Sequence, residues 1–176
     1  MNCIDLFYAS FSIDSKENID KMKVRTLTSN INIRKATLSD LDAVMAIETE
    51  SFGSDAFGER QMQYLMKSAS SLFYIAETKN TLAGYVILLM RKNSHQMRIY
   101  SIAVSSLFRG KGVGQYLIDF ALKTAENSSK SSLKLEVRTT NSGAIQLYER
   151  NKFTSVKIIP EYYHDGCDAL VMKRKL

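Results

Sequence analysis

Residues 109–114 read Arg-Gly-Lys-Gly-Val-Gly and separate two segments of different period. The run 99–104 before them is apolar and reads as a strand. After them Val113, Leu117, Phe120, Ala121 and Ala125 recur at helical spacing, the buried stripe of a helix. Glycine is needed where the backbone takes φ > 0 or where another group must come close. A helix N-terminus offers unpaired N–H donors and the positive end of a dipole. A glycine-rich handover from strand to helix is therefore a phosphate cradle, and a pyrophosphate fits it. A dinucleotide-binding fold would place G-x-G-x-x-G directly after its first strand. Here the loop comes late, after several strands.

The remaining elements fall in order around this loop. Residues 31–36 alternate as a strand. Thr37 or Ser39 can cap a helix carrying Leu41, Val44, Met45, Ile47 and Phe52, broken by Gly53-Ser54-Asp55. A second helix is predicted over 59–68. Strands at 72–77 and 82–91 form a hairpin through the polar turn 78–81, and a third long strand spans 97–104. Beyond the long helix, residues 133–138 alternate cleanly: Leu133, Leu135 and Val137 face one way, and Lys134, Glu136 and Arg138 the other. A short helix at 144–150 and strands at 153–159 and 169–175 complete the order β-α-α-β-β-β-α-β-α-β-β. At 176 residues the chain suits one domain, placed at 31–176, with residues 1–30 as a leader that is flexible or loosely docked.

Composition narrows the function. The net charge of +6 fits an anionic ligand. No basic run interleaved with aromatics points to nucleic acid, so no direct nucleic-acid partner is expected. Cys3 and Cys167 form no C-x-x-C, and His95 and His164 join no cluster at ligand spacing, so no metal is expected. No apolar run reaches the ~18–20 residues of a membrane span, and residues 1–12 lack an export signal; a reducing cytoplasm, with no membrane partner, is the expectation. Alternation alone leaves Glu136 as either a member of a solvated charged row or a catalytic carboxylate. Spacing alone leaves Tyr148 as either a packed aromatic or a proton donor.

Arg109-x-x-Gly112-x-Gly114 following Ile102-Ala103-Val104 resembles the GNAT acyltransferases. The likeness extends through Leu135-Glu136-Val137-Arg138, Asn141-x-x-Ala144-Ile145-x-Leu147-Tyr148-Glu149, Glu161-Tyr162-Tyr163 and Asp168-Ala169-Leu170-Val171-Met172. This set is similar to the ribosomal-protein alanine N-acetyltransferase branch. The resemblance implies an α+β (mixed α/β) GNAT fold: a mostly antiparallel twisted sheet of about seven strands, splayed at the cofactor gap and flanked by about four helices. It also implies acetyl-CoA as donor and a protein N-terminal amine, such as that of a ribosomal protein, as acceptor. By the same resemblance, the pantetheine arm lies along the backbone of Ile102, Ala103 and Val104. The pyrophosphate sits on the loop of Arg109, Gly110, Lys111, Gly112, Val113, Gly114 and Gln115, and Asn141 contacts the arm. Glu136 takes the role of base through water and Tyr148, twelve residues on, that of acid. Tyr162, Tyr163 and Phe52 line the acceptor entrance.

Two departures from that pattern stand out. Lys152 occupies the place of a usual glycine, and Asn151 is expected to take the left-handed turn in its stead. Gly53-Ser54 stands where relatives carry Pro-Trp, and the chain has no tryptophan. Two other functions remain open from sequence: acetylation of a lysine, polyamine or other small amine, and a non-catalytic CoA-binding regulatory or interaction domain.

Overall fold

The computed structural model describes residues 31–79 and 81–176; the expected leader, with Cys3, lies outside the described residues. Strand β1 (Asn32–Lys35) leads through a 3-10 turn (Leu38–Asp40) into α1 (Leu41–Phe52) and then α2 (Glu59–Lys67). Strands β2 (Ser71–Thr78), β3 (Thr81–Met90) and β4 (Gln96–Val104) come next. Helix α3 (Val113–Asn127), strand β5 (Ser132–Arg138), helix α4 (Ser142–Arg150), and strands β6 (Thr154–Ile159) and β7 (Ala169–Lys175) complete the chain. This is the order expected from the sequence.

The strands form one seven-stranded sheet, ordered β1-β2-β3-β4-β5-β7-β6. Every neighbouring pair is antiparallel except β4 and β5. Helices α1 and α2 pack on one face, where Val44, Met62, Phe73, Tyr85 and Ile87 are buried. On the opposite face the stripe of α3 (Val113, Leu117, Ile118, Ala121 and Ala125) meets Val86, Leu88, Leu133 and Leu135. Burying large aliphatic side chains on both faces supplies most of the driving force, at roughly 25 cal/mol per Å² of apolar surface.

Two irregularities position the site. The pairing of β3 with β4 shifts register between Ile87 and Leu88, which leaves Tyr100 as an extra residue on β4. Such a bulge bends the strand and increases its twist. It also exchanges the two faces of β4: Met97 and Ile99 join the α3-side core, whereas Ala103, an even number of residues further on, joins the α1-side core. Beyond the bend, β4 and β5 separate. Their parallel pairing comprises Gln96↔Ser132, Met97↔Leu133 and Arg98↔Lys134 only. The backbone of Ile102, Ala103 and Val104 is thus paired to β3 on one side and, among the described residues, has no strand on the other.

Candidate active site

The glycine loop sits where β4 hands over to α3. Gly110 (φ 71°) and Gly112 (φ 83°) occupy the left-handed region, the latter as the cap residue of α3. Gly114 serves closeness instead: a Cβ there would lie 3.3 Å from Leu147 Cδ2 of α4. The first N–H groups of α3 have no partner within the helix, so its N-terminus beside the loop keeps free donors. Arg109 braces the loop, its Nε donating to the Val104 carbonyl at 3.2 Å and its Nη2 to Ser51 Oγ at 3.4 Å. The Gln115 side chain forms a two-way amide pair with Asn151, at 2.7 and 2.9 Å, tying α3 to the end of α4. Asn141 is exposed and caps α4, its Oδ1 accepting from the Ala144 N–H.

Asn151 is not the left-handed residue expected from the sequence. It keeps φ −89° and is buried, its Nδ2 donating to the Leu147 carbonyl and its own carbonyl accepting from Arg174. Lys152 itself takes φ 62°, the left-handed conformation expected of Asn151. Asn151 has too many partners to rotate; Lys152 is exposed and has none of these ties.

Glu136 projects from β5 beside the point where β4 and β5 part. Its side chain is 7% exposed and bridged on both oxygens, by Arg98 Nε at 2.7 Å and Lys134 Nζ at 2.8 Å. Arg98 also donates to the Tyr162 hydroxyl at 3.2 Å, and its guanidinium lies 5.2 Å from the centre of the Tyr100 ring. Tyr100 stacks in turn on Phe57, with centroids 5.0 Å apart and planes 8° from parallel. Tyr148 of α4 is buried against Phe153. Burial, with a smaller contribution from Tyr163, pushes its pKa above the ordinary tyrosine value, so the hydroxyl keeps its proton.

The α1–α2 and β6–β7 connections are clasped together through β5. Arg138 of β5 pairs with Asp55 in the α1–α2 connection and with Asp165 in the β6–β7 connection. Asp55 also accepts from the His164 N–H at 3.0 Å. Tyr163 lies under the Arg138 guanidinium at 4.2 Å and edge-on to Tyr162. Of the expected entrance residues, Tyr162 and Tyr163 belong to this cluster. Phe52 is half-buried and packs on the α1–α2 core, and Phe57 supplies the ring that faces Tyr100.

Sequence reading did not single out Glu48. This carboxylate is 1% exposed. It accepts the Phe57 N–H at 2.8 Å and bonds the buried Tyr85 hydroxyl, which contacts Ser101 Oγ at 3.0 Å. Burial raises its pKa, and the two donors work against that rise. The signal was present: Glu48 stands four residues after Val44 and seven after Leu41, on the apolar stripe of its helix. Arg98 and Lys134 likewise carry no motif and become functional candidates only through contact with Glu136. Among the described residues no group of His, Cys, Asp and Glu is arranged to hold a metal ion, and no helix is long and apolar enough to cross a membrane.

A glycine loop caps α3, an open strand edge leads from it, and a carboxylate stands at the fork. The acetyltransferase (GNAT) family profile matches residues 41–153. The chain belongs to the GNAT acetyltransferase family. It is 33% identical to an N-alpha-acetyltransferase of Sulfolobus acidocaldarius, over 84% of this chain and 94% of that one. Among solved structures it resembles Ard1 from Thermoplasma volcanium (TM-score 0.76, 26% identity, covering 84% of this chain and 98% of that one). It also resembles the ribosomal-protein-S18-alanine N-acetyltransferase of Escherichia coli (TM-score 0.74, 25% identity, covering 82% and 93%). The GNAT protein is thus an N-acetyltransferase that transfers acetyl to an amine, and acetyl-CoA is the donor its family uses. The fork and the loop fit that donor: an unpaired strand edge can pair with an extended amide-bearing arm, and the N–H groups at the start of α3 can donate to a pyrophosphate.

Proposed function

We propose that the protein acetylates the N-terminal α-amine of a polypeptide, with Glu136 as general base through water and Tyr148 as general acid. An α-amine has a reference pKa of about 8, against about 10.4 for lysine, so a carboxylate acting through one water suffices to deprotonate it near neutral pH. The Ile102, Ala103 and Val104 backbone and the loop from Arg109 to Gln115 hold acetyl-CoA, whose thioester supplies the activated acetyl group. Glu136, through water, takes the ammonium proton, and the nitrogen's second proton leaves by the same water to solvent as the amide forms. The N–C bond forms as the C–S bond breaks, and Tyr148 gives its proton to the departing sulfur and regains one from solvent. Tyr162 and Tyr163 line the approach.

The observation that carries this reading is the placement of Glu136 at the parting of β4 and β5, next to the last paired residues Arg98 and Lys134. Names among the relatives support the N-terminal acceptor, since the S. acidocaldarius protein is an N-alpha-acetyltransferase and the E. coli structure a ribosomal-protein alanine N-acetyltransferase. The test is acetylation of peptide arrays with free or blocked N-termini, each also carrying an internal lysine. Free N-termini should be modified and blocked ones should not. Glu136→Gln and Tyr148→Phe should each lower kcat by about 10²–10³ while acetyl-CoA affinity is kept. Turnover of blocked, lysine-bearing peptides alone overturns the acceptor; full turnover by the double variant overturns the mechanism.

A further inference from the structure

The α1-side face of the sheet is not uniformly covered. Helices α1 and α2 pack against β2, β3 and β4. Further along, the register sets three rows across β5, β7 and β6. Glu136 lies opposite Val171, which lies opposite Lys157. Lys134 lies opposite Lys173, which lies opposite Thr154, and Ser132 lies opposite Lys175. Directly paired residues share a face, and alternate residues repeat at about 7 Å along a strand. The bridges from Lys134 and Arg98 to Glu136 fix which face this is. Lys157 and Lys175 are exposed and Lys173 half-exposed.

This lysine array has no evident role in stability. Like charges directly opposite one another destabilise a sheet, yet Lys134 faces Lys173. Lys134 has Glu136 as partner, but among the described residues Lys157, Lys173 and Lys175 form no ion pair. Each lies within about one Debye length, 8–10 Å, of the next, so they sum into a common positive potential. Residues 1–30 do not complement it by composition, since they carry four acids and four bases.

We propose that this face binds an acidic stretch of the acceptor polypeptide, a few residues downstream of the amine presented to Glu136. The inference rests on the N-terminal reading above and names its substrate class. The order of charge is what selects a peptide. A carboxylate at the fork meets an ammonium group, and the adjoining cations meet carboxylates further along the same peptide. A polyphosphate would meet Glu136 within the same row. Nor does the face offer a stacking platform: its residues on β5, β7 and β6 include no aromatic ring. From Val171, opposite Glu136, to Lys175 is about 13 Å along β7, the reach of about four extended residues.

The test uses three decapeptides with the same free N-terminus and first two residues, continuing with four glutamates, four glutamines or four lysines. The glutamate peptide should exceed the glutamine peptide in kcat/KM by about tenfold at low ionic strength, as expected for two or three exposed ion pairs. The lysine peptide should be poorest, and added salt should compress the series. The triple variant Lys157→Glu, Lys173→Glu, Lys175→Glu should reverse the order, with Tm and acetyl-CoA affinity reporting that its fold is intact. Anisotropy of an N-terminally blocked, labelled glutamate peptide reads the face without catalysis. If no free N-terminus is turned over, the acceptor reading fails, and the face still stands or falls by this binding and its loss in the variant. Equal use of the glutamate and lysine peptides overturns the inference. So does a preference that survives the variant, or binding of an oligouridylate that the variant abolishes when no acidic preference exists.

Discussion

Gly84 of β3 lies directly across from Val104, so its missing side chain bears on both the fold and the donor. A Cβ built there would meet the Ala103 carbonyl oxygen at 2.6 Å, the Val104 Cα at 3.3 Å and Leu117 Cδ1 at 3.2 Å. Two of the three are backbone atoms of β4, which no rotamer change can move. Restoring an ordinary contact of 3.4 Å requires β4 to recede by 3.4 − 2.6 = 0.8 Å at Ala103. Overpacking of this kind typically costs about 1–3 kcal/mol. At about 2–4 °C per kcal/mol for a chain of this size, Gly84→Ala should lower Tm by about 4–8 °C for the midpoint cost of about 2 kcal/mol. The displaced stretch is also the open edge proposed to carry the acetyl-CoA arm, so donor affinity should fall about tenfold, equivalent to about 1.4 kcal/mol. Calorimetry measures the first effect and isothermal titration with acetyl-CoA the second. Gly143→Ala is the control of opposite sign: its Cβ meets nothing within 4 Å, and on α4 alanine should add up to about 1 kcal/mol. Unchanged Tm and affinity in Gly84→Ala would refute the contact argument. Loss of Tm with full affinity would refute only the assignment of the arm to this edge.

Three further outcomes are expected. Lys152→Gly should stabilise by about 1 kcal/mol, because it removes a left-handed strain without touching a contact; a lower urea midpoint would contradict this. Glu48→Leu should leave the Phe57 N–H without an acceptor and destabilise by about 1–3 kcal/mol. Glu48→Gln keeps an acceptor and should do less, and Tyr85→Phe should be non-additive with either in a urea double-mutant cycle. Asp40 is held at about 2 by the Arg34 guanidinium, with help from Thr37 against its burial. Its depressed value means that its contribution is present above about pH 4 and lost as pH falls toward 2. Asp40→Asn should flatten the acid limb of the stability profile in that window, and an unchanged limb would count against the pair.

Period and punctuation made most of this architecture legible. The glycines of residues 109–114, the stripe of α3 and the alternation of β5 each announce their element, and the motif order announces the family. What stayed hidden depends on contacts between distant segments. Burial along β4 alternates without a break, yet the bulge at Tyr100 turns Ala103 to the opposite face from Ile99. Period-two reading cannot see a residue inserted against a partner strand. Lys152 shows a second limit. Asparagine is the better left-handed residue by local preference, but Asn151 is held by Gln115, Leu147 and Arg174, and the strain passes to its neighbour. The clasp of Asp55, Arg138 and Asp165 joins residues far apart in sequence and carries no local signature.

The three residue pairs that join β4 to β5 have a mechanical consequence. They act as a hinge between two plates, β1 to β4 on one side and β5, β7 and β6 on the other, with α3 as the strap across the back. A donor held along the open edge of β4, as proposed above, enters between the plates. Glu136 rides on one plate and Arg98 on the other, so the 2.7 Å bridge between them spans the hinge, and the pair of Arg138 with Asp55 ties the plates again farther along β5. Any widening of the fork therefore acts first on the ion pair that holds Glu136 in place.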